Sequence, residues 1–200
     1  VISRNNREID LGTVDDNAGP ALATSLADGN GAKLVAAEGE AVLVDTVAYA
    51  NLKPNCTYTL EGQLHAVDGE GQDLCVVAEG SADLVPSTPS GSTEVVFSFD
   101  VSQFEFDHLV ATEQLLDADG ETVCAHEDLS DEAQTVYVPF IETTLEHPDD
   151  VGELSSVGTI ELVDTVRYTG LVPARTYTLE ACLHVRGDDG SDEGAAIDAN

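Results

Sequence analysis

The sequence repeats itself at long range. Residues 43–49 read LVDTVAY and residues 162–168 read LVDTVRY, an offset of 119 residues (45 to 164). The same offset carries Leu52 to Leu171, Pro54 to Pro173, the run 57–61 (TYTLE) to 176–180, and Leu64-His65 to Leu183-His184. Upstream it carries Thr24 and Leu26 to Thr143 and Leu145, and no gap is needed anywhere. A period of this length implies a tandem of modules, each burying its own core. The boundaries read as a tail over 1–20, a complete module over 21–140 and the first half of a second module over 141–200. The chain starts at Val1 without an initiator methionine, which reads as a mature piece or a fragment.

The local pattern is β throughout. Tyr58, Leu60, Gly62 and Leu64 alternate with Thr59, Glu61, Gln63 and His65, and Val95, Phe97 and Phe99 alternate with Val96, Ser98 and Asp100. Such alternation marks strands with one buried face. Turn clusters separate the runs: Asp68-Gly69-Glu70-Gly71, the stretch from Pro86 to Gly91, and Asp117-Ala118-Asp119-Gly120. No long segment has a helical period. The expected fold class is all-β, with tandem Ig-like (Greek-key) β-sandwich modules, the second one incomplete.

Composition narrows the partners. With 39 acidic and 7 basic side chains the formal charge is −32, which repels nucleic acid and anionic membrane surfaces. An apolar content of 42% suffices for packed cores, and no apolar run reaches membrane-spanning length. The four cysteines, Cys56, Cys75, Cys124 and Cys182, form no C-x-x-C pair, which argues against zinc. Cys75 and Cys124 pair only if their strands meet; free thiols are the simpler reading.

Two segments carry candidate chemistry. One is Asp45-Thr46-Val47 on the first long strand. The other runs from His126 through Asp128, Asp131 and Gln134 to Thr135, just before the last strand. The spacing His-x-Asp-x-x-Asp-x-x-Gln-Thr, the Asp-Thr-Val opening and a partial Val-x-Phe-Glu strand at Val110–Glu113, with Thr112 in place of Phe, resemble the VaFE repeat. That family, also called the T-Q ester-bond domain, belongs to Gram-positive surface adhesins. The resemblance spans 22–140 fully and 141–200 as a half-module.

The resemblance implies an intramolecular ester between Thr46 and Gln134, formed with loss of ammonia. Thr46 is then the nucleophile, Gln134 the acceptor and His126 the general base, because a threonine hydroxyl needs a base to become reactive. An amide is a poor electrophile and needs a donor on its carbonyl; a carboxyl group kept neutral by burial supplies one. Glu113, on a largely apolar strand, is the first candidate. The family pattern suggests Asp131 as its paired acid, Asp68 is a possible further acid, and Asp45 and Asp128 are orienting residues. The expected geometry puts Thr46 inward with Val42, Val44 and Ala48, and Gln134 inward with Val136 and Val138. Thr165, the counterpart of Thr46, is expected to be uncrosslinked, and residues 141–200 alone are expected to be poorly stable. No cofactor or metal is implied. The implied setting is extracellular and wall-anchored, with neighbouring repeats of the same chain as partners and a host or cell-surface ligand reached through other domains.

Other readings stay open. Acidic loops such as 117–120 and 188–193 suit a sandwich that binds calcium or a host ligand, although neither has an EF-hand pattern. A hydrolase using His126 and Thr46 lacks a nucleophile elbow. A Lys–Asn isopeptide would have only Lys33 and Lys53 available in the first module. His65 and His184 read as exposed strand residues without a catalytic role, and no role is read for His108 or His147.

Overall fold

The computed structural model describes residues 19–104, 106–147, 160–186 and 192–197. Most of the tail 1–20, and residues 188–191 of the acidic loop, lie outside this set. The first module folds as two sheets facing each other. One sheet has the order β1 (Ala21–Asp28), β2 (Glu40–Ala50), β5 (Gly91–Asp100). The other runs β4 (Asp73–Leu84), β3 (Tyr58–Val67), β6 (His108–Asp117), β7 (Thr122–His126), with β8 (Thr135–Tyr137) also beside β6. All pairings between these strands are antiparallel. The chain is all-β and builds sandwich modules.

The strand alternation decides which residues form the core. Leu26, Leu43, Val47, Val95 and Phe97 from the first sheet meet Leu60, Leu64, Leu109, Ala111 and Leu115 from the second, all fully buried. The sheets approach closely at Gly80, where a Cβ would lie 2.7 Å from the Val95 side chain and 2.8 Å from the Val96 carbonyl oxygen. Any larger residue there would push β4 away from β5.

The inward face of β2 corrects one expectation. Leu43, Asp45, Val47 and Tyr49 point into the core, while Val42 on the other face is 52% exposed. Both faces of β2 carry apolar residues, but the inward one holds the bulkier set, and burying it drives Asp45 inward with them. Thr46 consequently faces away from the core, only half-buried, across from Ser25 and Glu94.

Beyond the first module, β9 (Phe140–Glu146) pairs with β10 (Val163–Thr169), and β11 (Leu183–Arg186) with β12 (Asp192–Ile197). Thr143 lies opposite Val166 as Thr24 lies opposite Val47, so the register repeats with the sequence.

Candidate functional site: a buried Thr–Gln–carboxyl cluster

The site lies between the two sheets, where β1, β2, β6 and the 3-10 turn Glu132–Gln134 converge. Asp131 caps that turn, accepting from the Ala133 N–H at 2.8 Å, and the turn swings Gln134 inward. Four polar side chains are buried there: Gln134 at 0% exposure, Asp45 at 0%, Glu113 at 1% and Thr24 at 4%. The Gln134 amide nitrogen contacts Thr24 Oγ1 and donates to Glu113 Oε2 at 3.0 Å; Asp45 Oδ2 lies 3.5 Å away.

Burial shapes the protonation of this cluster. Desolvation, then the Asp45 charge and an Asp45 hydrogen bond, push the Glu113 carboxyl up to about 10. Desolvation also raises Asp45, opposed by hydrogen bonds from Glu113, Gln134 and the Ser25 backbone and by the Lys33 charge. At neutral pH Glu113 is therefore held protonated beside Asp45, and the two titrations are linked. One oxygen each of Asp45, Glu113 and Gln134 has no hydrogen-bond partner. Buried polar oxygens short of partners are costly to a fold, and a proton between the two carboxyl groups relieves part of that cost.

Of the residues singled out from sequence, Gln134, Glu113 and Asp45 meet in this cluster. Thr46 does not; Thr24 stands where Thr46 was expected. Strand parity explains the exchange, because adjacent Asp45 and Thr46 must face opposite ways. A usable signal was present: Thr24 and Leu26, spaced for one strand face, both recur at Thr143 and Leu145.

His126 sits at the edge of the site. It lies in register with Glu113, and its Nε2 is 2.9 Å from Asp131 Oδ2 rather than on a threonine hydroxyl. Asp131 is thus occupied as turn cap and histidine partner, and Asp45 takes the place beside Glu113 expected for Asp131. Asp128 is exposed and accepts from Ser130 N–H and Oγ–H, which closes a local turn. Asp68 lies in the β3–β4 turn, accepting from the Glu70 and Gln72 N–H groups, with no contact to the cluster.

Other expectations are corrected away from the site. His65 is largely covered, with Nδ1 3.1 Å from Asp73 and Nε2 3.1 Å from Thr112 Oγ1, tying β3 to β4 and β6. The sequence repeats this His and Asp as His184 and Asp192. The half-buried His108 ring packs against Tyr137 at 6.0 Å, and burial lowers its pKa. Cys75 and Cys124 lie on β4 and β7, the opposite edges of one sheet, and cannot pair; the four cysteines are free. Asp117 Oδ1 accepts from the Asp119 and Glu121 N–H groups, forming a hairpin turn. Among the described residues no cluster of His, Cys, Asp and Glu is arranged to hold a metal ion.

Comparison with known proteins bears on the family and the fold. The family model of the T-Q ester bond containing domain matches residues 20–138 and again 139–199. No curated protein matches the sequence significantly. Among solved structures, the chain is similar to a bacterial adhesin from Mobiluncus mulieris containing intramolecular disulfide, isopeptide and ester bond cross-links, seen in space groups P1 and P21. Each alignment has 14% identity, a TM-score of 0.51 and 76% coverage of both chains, a likeness of fold. With two matches spanning nearly its whole length, the chain belongs to the family of T-Q ester bond containing domains.

Proposed function

We propose that the first module joins Thr24 to Gln134 through an autocatalytic ester, and that the chain is a stalk segment of a bacterial surface adhesin. The observation that carries this reading is the Gln134 amide, fully buried between the Thr24 hydroxyl and the Asp45–Glu113 carboxyl pair. Thr24 Oγ attacks Gln134 Cδ while its proton passes to the ionised carboxylate of the pair. The protonated carboxyl donates to the developing oxyanion; a half-turn of the amide brings its oxygen to Glu113 for this step. Collapse breaks the Cδ–Nε2 bond, the pair returns a proton to nitrogen, and ammonia leaves. The pair ends with the one proton it started with.

Holding the reactants side by side supplies most of the rate, and the dry site protects the ester from water. His126, anchored by Asp131 beside Glu113, is placed to exchange protons between the pair and solvent. The event happens once per molecule, so this is self-processing without turnover. The link would close a loop across 110 positions between the first strand and the turn before the last. By loop entropy it would add about 5 kcal/mol of stability. A tie of this kind suits an extracellular stalk under tension.

The intact mass of the chain tests the reading. The wild type should be lighter than its calculated mass by one ammonia, and Thr24→Val should have the full mass. A wild type at full mass would leave a plain sandwich.

A further inference from the structure

We propose that Lys33 is a positioning residue for the cross-link, holding the Gln134 turn against the Thr24 strand before the ester exists; this rests on the ester reading above. Its Nζ donates to two carbonyl oxygens, those of Leu26 and Ala133. Leu26 lies two residues beyond Thr24 on β1, and Ala133 immediately precedes Gln134. One ammonium group therefore bridges the backbones that carry nucleophile and electrophile, which belong to different sheets.

Lys33 is itself fixed in place. Its carbonyl oxygen accepts from the Tyr137 N–H at 2.9 Å, and the Val35 N–H donates to the Tyr137 carbonyl oxygen at 3.1 Å. The Asp28 turn, which accepts from the Asn30 and Ala32 N–H groups, sets the path from β1 to this segment. Lys33 and Lys53 are the basic residues other than histidine between 21 and 140, in a chain with 39 acidic side chains. A cation placed at the reacting seam thus stands out against the composition.

Lys33 also acts on the carboxyl pair through space. Its charge favours the ionised form of Asp45. The other titratable groups facing the pair are Asp131, whose charge raises Glu113, and His126, in register with Glu113. Removing Lys33 should therefore shift the first ionisation of the pair to higher pH, moving the acid limb of the cross-linking rate upward.

The test follows ammonia loss by mass during cell-free synthesis of the full chain across a pH series. Lys33→Met should slow the reaction by about ten- to a hundredfold and move the acid limb upward. Lys33→Arg should restore most of the rate and the wild-type limb. Lys33→Gln, which keeps a donor without the charge, should fold and show the shifted limb. The proposal is overturned if Lys33→Met reacts at the wild-type rate, or if the neutral variants are slow with an unmoved pH profile. A wild type that never loses ammonia would remove the ester reading and this inference together.

Discussion

At the scale of the residue, everything turns on which threonine meets Gln134. Thr24→Val should abolish the ammonia loss, whereas Thr46→Ala, on the opposite face of β2, should leave it complete; intact mass distinguishes them directly. The carboxyl pair makes a second prediction, best read in the unlinked Thr24→Val background. Glu113 is raised to about 10 from 4.5, so between those values the folded state keeps a proton that the unfolded chain has released. That contribution to stability is fully present below pH 4.5 and is lost as pH rises through 10. Denaturant melts at pH 5 and pH 9 should show stability falling with pH, and adding Glu113→Gln should remove part of the fall. Equal slopes in the two proteins would mean that Glu113 is ionised in the fold. Gln134 and Glu113 were legible in the sequence because the His-x-Asp-x-x-Asp-x-x-Gln spacing and the partial Val-x-Phe-Glu strand resemble the signatures of the family. Thr24 was not read from its own strand, Ala21 to Asp28, where a threonine looks like an ordinary β-former; its recurrence at Thr143 was the signal that set it apart.

At the scale of the element, the 3-10 turn before β8 is the part that aims the electrophile. Asp131 caps it and binds His126, so Asp131→Ala in the Thr24→Val background should cost about 1 kcal/mol in a melting experiment. In the reactive chain the same change should slow ammonia loss. β6 buries residues of both faces, Leu109 and Val110 alike. The strand pattern of β3 and β5 could be read from alternation alone, since the outward face of each is largely polar. For β2 it could not, because Val42, Val44 and Ala48 rival Leu43, Val47 and Tyr49, and the difference in bulk that chooses between them acts only through the opposing sheet. The pairing of β1 with β2, which places Thr24 two residues out of step with Asp45, is likewise a long-range fact that no local signal carries.

At the scale of the whole molecule, the site joins the two ends of a module across its two sheets. Pulling through the ends of the first module should load the ester and leave the intervening strands folded. In a single-molecule stretch, Thr24→Val should release roughly 380 Å of contour length, about 3.5 Å per residue over the 110-position separation; the linked wild type should hide it. The repeat shows the same construction beginning again, with Thr143 and Asp164 in the places of Thr24 and Asp45. The measurement closest to the central claim is peptide mapping of the digested wild-type chain by tandem mass spectrometry. The account predicts a branched species joining the Thr24 peptide to the Gln134 peptide, lighter than their sum by one ammonia. Finding both peptides separate and unmodified, or finding the branch at Thr46, would contradict it.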